Sequence, residues 1–227
     1  MAAKAQQITQ LYFFHLKQNK FWAFKQMGVG YTALNNIPGL VFARLLGTGA
    51  GAGFSLFPDF STYAVLLVWE SQADADDFRN NSSFLGRYHG KCDQIRLLTL
   101  SNTHSHGKWA GQNPFVIGNK SGFKKNTIAV ITRATLRWSR LLSFWKAVPK
   151  ASKAIEKAKG VLHYKGIGEW PFIQQATISL WQSQEDVMQF AYRSQAHASI
   201  VKTTRKKRWY KEDLFARFYL ISDEYFK

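Results

Sequence analysis

His197 sits in Ser194-Gln195-Ala196-His197-Ala198-Ser199-Ile200-Val201, flanked by small residues. On a helix its face takes in Phe190, Ser194, Ile200 and Val201, so the imidazole points inward. Small neighbours let something broad approach the ring. Neutral imidazole ligates iron well, and a helix-borne His is a familiar proximal haem ligand. Lys202 and Arg205 follow within about two helical turns, close enough to meet propionates. The same residues also describe a buried, hydrogen-bonded histidine, and spacing alone leaves both readings open.

The other reactive side chains are weaker candidates. His104 and His106 fall in a polar stretch and are expected to be exposed. His15 and His163 lie on apolar strands and read as core or surface residues, while His89 is near a helix end. Cys92 is the single cysteine, so no disulfide forms within the chain and a multi-thiolate metal site is excluded. Its setting, Lys91-Cys92-Asp93, is too polar for a dry thiolate haem ligand. There is no Walker loop and no Gly-x-Ser-x-Gly elbow. Gly47-x-Gly49-x-Gly51-x-Gly53 lacks the dinucleotide spacing and reads as a flexible hairpin or lid.

The elements that position these residues occur twice. Leu67-Val68-Trp69-Glu70-Ser71-Gln72 returns as Ser179-Leu180-Trp181-Gln182-Ser183-Gln184, 112 residues on, with Asp and Phe following at matched spacing. Tyr63 to Trp69 and Thr177 to Trp181 are predicted to be buried strands. Ser71 and Ser183 are predicted N-caps, with acids behind them that suit the helix dipole. Further strands are expected at Ile8–Leu16, Gly39–Gly47 and Ile95–Leu100, and at Thr127–Thr135, Gly160–Gly168 and Phe215–Ile221. Long helices are expected at Lys20–Leu34 and Ser139–Lys159, the latter burying Trp145, Val148, Ile155 and Ala158 on one face. The order is β-α-β-β-α-β, twice. The fold class is α+β: two tandem ferredoxin-like repeats packed as a pseudo-two-fold α+β barrel. Residues 1–103 form the first repeat, 104–125 a linker without periodicity, and 126–227 the second repeat. The first copy carries about nine extra residues in the Gly-rich hairpin, and the second a similar insertion around His197 to Arg208. Arg96 aligns with Arg217; a repeated Arg reads as structural, so both are left out of the site.

The chain of 227 residues is 46% hydrophobic and 15% aromatic, enough for a sizeable core or an apolar pocket lined by rings. No apolar run approaches the ~18–20 residues of a membrane span. Met1-Ala2-Ala3-Lys4-Ala5-Gln6-Gln7 is not followed by an apolar segment, so no signal peptide is expected. With the lone thiol, this places the protein in a reducing compartment, cytoplasmic and peripheral at the inner membrane. Net charge is +17, densest at Lys202-Thr203-Thr204-Arg205-Lys206-Lys207-Arg208. Such a run is a solvated helix end, or it attracts anionic lipid or an acidic protein; nucleic acid ranks below these, since no recognition motif accompanies it.

The second half resembles the spheroidene monooxygenase family of carotenoid-modifying enzymes. The resemblance is carried by Thr132-Arg133-Ala134-Thr135-Leu136-Arg137, by Phe144-Trp145-x-x-Val148-Pro149, and by His197 followed by Trp209-Tyr210-x-Glu212-x-Leu214-Phe215-Ala216-Arg217-Phe218. In the first half, Gly39-Leu40-x-Phe42-x-Arg44-x-Leu46-Gly47 and the glycines after it look like the family's Gly-rich hairpin. The resemblance implies a haem b oxygenase that hydroxylates an acyclic carotenoid at C-2 and oxidises it to a ketone, using O2 and electrons from reduced ferredoxin. It implies His197 as proximal ligand and a fold similar to the α+β barrels of aldoxime dehydratases. In such a site Arg133 or Arg137 would bind a propionate or polarise iron-bound oxygen; otherwise they form surface salt bridges. Two other readings stand beside it: a cofactor-free monooxygenase of the antibiotic-biosynthesis type, and a non-enzymatic protein binding apolar ligands on the same fold.

Overall fold

The computed structural model describes residues 6–51, 55, 57–118, 127–193, 202–204 and 206–227, without the side chains of 150, 151, 192 and 193. Eight strands run along it: β1 (Ile8–His15), β2 (Leu40–Gly49), β3 (Pro58–Trp69), β4 (Gln94–Gly107), β5 (Ile128–Leu136), β6 (Val161–Gly168), β7 (Gln174–Trp181) and β8 (Tyr210–Phe226). They close into one barrel in the order β1-β3-β2-β6-β7-β5-β8-β4, with every pairing antiparallel. Closure removes the free sheet edges that would otherwise template aggregation. The helices lie outside: α1 (Lys20–Val29), α2 (Gln72–Asn81), α3 (Ser83–His89), α4 (Leu141–Trp145), α5 (Val148–Glu156) and α6 (Gln184–Met188). No helix among the described residues is long and apolar enough to cross a membrane, which says nothing of strands.

Strand alternation decides which side chains fill the ring. Leu11 and Phe13, Phe42 and Leu46, Ala64, Leu66 and Val68, Leu98 and Leu100, Ala129 and Ile131, Ile167, Ala176, Ile178 and Leu180, and Leu214, Ala216, Phe218 and Leu220 form one buried interior. The residues between them face outward, toward the helices.

The two halves share their local chemistry. Ser71 accepts a hydrogen bond from the Asp74 backbone N–H and Ser183 one from Asp186, so both predicted caps are present. Gly39 and Gly160 have φ of +71° and +78°, and a Cβ at either would collide with Asp74 or Asp186 respectively. The carbonyls of these glycines accept from Glu70 and Gln182 just after each Trp. Only glycine satisfies both the backbone angle and that close approach.

Three expectations need correcting. The helix expected over Ser139–Lys159 is broken into the 3-10 turn Trp138–Arg140, α4 and α5. Pro149, in the first turn of α5, has no N–H to give and cannot continue a helix through α4. The expected single face is therefore divided: Trp145 packs with Val148 and Trp209, while Ile155 and Ala158 pack with Trp181 and Val187. The linker expected from residue 104 starts later, because β4 continues to Gly107 against β8, and it is not a bare tether: Trp109 and Phe115 are buried in the barrel interior. Arg96 and Arg217 are not equivalent: Arg96 pairs with Asp223 at 2.8 Å, whereas Arg217 sits between the inward Ala216 and Phe218 and so faces outward.

Candidate functional site

Polar groups gather at three places. At one end of the barrel, Arg133 is almost fully buried and donates to Glu212 and, at 3.5 Å, to Glu169. Arg44 meets Glu169 at 3.2 Å, and the indole N–H of Trp109 donates to the same carboxylate. The Arg133 guanidinium lies 5.7 Å from the Trp109 ring. Burial raises the Glu212 carboxyl, but the N–H groups of Gly111 and Ala110 and the Arg133 charge outweigh it and hold it below the usual range. This cluster is charge-balanced and plugged by the linker Trp. Arg133 is no surface salt bridge: its two terminal nitrogens meet two carboxylates in a buried cluster, while its buried Nε has no partner among the described residues. Arg137, on the outside, is exposed and donates from Nε to the Tyr210 carbonyl at 3.1 Å. The two arginines share no partner among the described residues.

The opposite end is open. A cavity of about 730 Å³ is lined there by Phe13, His15, Thr62, Arg96, His163, Lys165 and Tyr225, among others. Burial, helped by Lys165, lowers the pKa of His15; burial, helped by Arg96, brings His163 to about 4. Both imidazoles are neutral at pH 7. Arg96 is held by Asp223, and Lys165 by Asp59 and the Gly51 carbonyl. The described residues contain no group of three or more His, Cys, Asp or Glu arranged to hold a metal.

The third place is the outer face of the second half. One row crosses five strands there: His106, Phe215, Thr132, Thr177 and Gly166 are neighbours in register. The corresponding row of the first half, Leu97, Tyr12, Val65 and Leu45, is buried throughout beneath α1, α2 and α3. In the second half Thr132 is exposed and Thr177 half-buried. The outer packing is correspondingly split, with Ile128, Val130, Trp181 and Val187 on one side and Leu136, Phe144, Val148 and Trp209 on the other. In the same strand as Phe215, the buried Nε of Arg217 has no hydrogen-bond partner among the described residues. His106 stacks on Phe215 at 5.4 Å, and His104 pairs in register with Arg217. Among the described residues, the small Thr132 and Thr177 and the unpartnered Arg217 Nε are of the kind that would suit a flat group with acidic substituents.

Of the residues singled out from sequence, His197 and Arg205 lie outside the described residues. Lys202 is exposed on a short helical stretch. Cys92 is buried, and burial pushes its thiol up to about 12, so it supplies no thiolate. Arg217 was set aside in the sequence although its signal was present, as a cation inside the outward-facing alternation Phe215, Arg217, Tyr219.

No protein-family model matches the chain. It is 29% identical over 206 residues to the spheroidene monooxygenase of Rhodobacter capsulatus, covering 89% of this chain and 85% of that protein. It is 30% identical over 205 residues to that of Cereibacter sphaeroides, covering 90% of this chain and 63% of that protein. For the Rubrivivax gelatinosus spheroidene monooxygenase the figures are 29% identity, 90% and 78%. Among solved structures, an aldoxime dehydratase in complex with butyraldoxime superposes with a TM-score of 0.62 at 10% identity, covering 98% of this chain and 82% of that one. A second aldoxime dehydratase gives 0.56 at 13%, covering 97% and 84%. These two share the fold.

Proposed function

We propose, from its likeness along about 90% of its length to three spheroidene monooxygenases, that this chain is a member of that family and a haem-dependent monooxygenase of an acyclic carotenoid. In this reading it hydroxylates C-2, then oxidises it to a ketone, using O2 and electrons from a reduced ferredoxin-type protein. The observation that carries the haem assignment is the open row at Thr132 and Thr177, where the first half is filled by Tyr12 and Val65.

Haem, when bound, supplies the iron that activates O2. The chain supplies the rest. In this reading His197 would hold the iron through its imidazole. Arg217 Nε, with Lys202 and Arg205, would neutralise propionates. Thr132 and Thr177, whose hydroxyls are 2.7 Å apart, already satisfy one another and can turn a donor outward without leaving an orphan. Phe215 gives the face an apolar body against which a polyene end can be oriented and water excluded.

Protein purified from cells supplied with haem precursor is expected to show a Soret band, and His197→Ala to lose the axial-ligand signature. Co-expression in an acyclic-carotenoid-producing host is expected to yield products heavier by oxygen. No Soret band, and none restored by haemin, refutes the haem reading.

A second reading rests on the open barrel end, whose cancelled charges and neutral imidazoles suit an uncharged ligand with an apolar body. Carotenoid oxidation that persists after iron removal favours this cofactor-free alternative; pigment binding without O2 uptake favours a binding protein.

A further inference from the structure

We infer that the face built by α4, the turn between β6 and β7, and the start of β8 docks on the surface of an anionic lipid bilayer. Four large apolar side chains project from it: Leu142 is 82% exposed, Trp138 72%, Trp170 64% and Phe172 47%. They belong to one surface. Trp145, one helical turn beyond Leu142, donates its indole N–H to the Phe172 carbonyl at 3.1 Å, and the two rings meet edge to face at 6.1 Å. The Leu136 N–H, just before Trp138, bonds the Ile173 carbonyl at 2.8 Å.

A belt of cations surrounds these protrusions. The Arg137 N–H bonds the Trp209 carbonyl at 2.9 Å, and the Trp209 indole donates to Ser143 on α4. This ties Lys206, Lys207, Arg208 and Lys211 to the same face as Arg137 and Arg140, and all six side chains are exposed. None of the six is in an ion pair among the described residues. Of the nearby carboxylates, Glu169 and Glu212 are turned inward onto Arg44 and Arg133, while Asp213 on β8 is exposed beside Lys211. The face is therefore cationic with little acid to offset it.

Chemistry points to lipid over a macromolecular partner. The apolar groups are separate protrusions on short turns rather than one packed concave patch. Isolated Trp, Leu and Phe side chains gain by entering the headgroup and acyl boundary, where depth matters and shape complementarity does not. Cations around them meet the negative surface potential of anionic leaflets. An acidic protein or a nucleic acid would use the cations but leave Leu142 in water.

The test uses the full chain and vesicles, with no haem or turnover, so its failure and that of the proposed activity are separable. The protein is expected to sediment with vesicles of equal parts phosphatidylcholine and phosphatidylglycerol, and weakly or not at all with phosphatidylcholine alone. Trp138→Ala with Trp170→Ala should weaken this binding by roughly tenfold or more, as should joint Lys206→Glu, Lys207→Glu and Arg208→Glu. In the unaltered protein, lipids brominated near the headgroup should quench tryptophan fluorescence. Failure of the wild-type chain to sediment, or absence of quenching, overturns the inference. So does weakening by charge reversal with the Trp pair replaced at no cost, the outcome that assigns the cations to an acidic protein or nucleic acid.

Discussion

Tyr12 and Thr132 hold the same place in the two halves of one barrel, and one is sealed while the other is open. Tyr12 pairs with Val65 and Leu97, is fully buried, and donates its hydroxyl to Gln10 at 3.1 Å. Thr132 pairs with Thr177 and Phe215 and is exposed. The two halves keep matching caps and glycines, yet one outer row is filled and the other is lined by an exposed and a half-buried threonine.

Refilling the row is the direct test. Thr132→Tyr should leave the barrel folded and abolish haemin uptake, read as the Soret absorbance on titration. Wild-type uptake by this variant would remove the row from the site. The reciprocal Tyr12→Thr should cost about 3–5 kcal/mol in urea unfolding, because it hollows a packed layer, without changing haemin stoichiometry.

Arg133 is predicted to matter for stability rather than chemistry. Arg133→Met removes the cation shared by Glu212 and Glu169, and breaking a buried pair costs about 3–5 kcal/mol. The low end is expected, since Glu169 keeps Arg44 and Glu212 keeps two backbone donors. Urea midpoints give the cost. The Soret position of the folded protein should not move; a shift would return Arg133 to the site.

Acid should destabilise the protein before its carboxylates titrate. The unfolded His value is about 6.5, and burial holds folded His163 at about 4, with His15 lowered as well. Between those values the unfolded chain binds more protons, so stability falls as pH drops through that window. Glu212 and Glu224, whose folded values are lowered, lose their contribution only below the usual carboxylate range. The urea midpoint should therefore drop between pH 6.5 and pH 4.5, and His163→Gln should flatten that slope. An unchanged slope would mean that the imidazole is solvated.

Trp109 should behave as a core residue although it follows the last residue of β4 by two. Trp109→Ala is expected to cost about 3–5 kcal/mol, measured by urea unfolding. A loss under about 1 kcal/mol would show that the linker does not plug the ring.

What the sequence made legible was local or repeated. The Trp-x-Ser-Gln block marked two strand ends and two caps because a cap acts over three residues, as Ser71 with Asp74. The alternation in β5 and β8 marked inward and outward faces. Contacts between distant segments left no such trace. Trp109 meets Glu169 across sixty residues, and nothing near Trp109 signals a plug. The break before α5 was readable, since Pro149 stands in the expected helix. The Arg96 and Arg217 match failed because equal residue types at a plausible offset do not fix strand parity, and one residue of slip reverses a face.

The ring is fastened unequally. β4 runs beside β8 from Ile95 to Gly107, whereas β2 touches β6 at Gly47 and Thr48, with glycine facing glycine at Gly168. A cuff sewn along one side and held by a short latch on the other is expected to give first at the latch, with amide protons there trading with solvent before those along the stitched side.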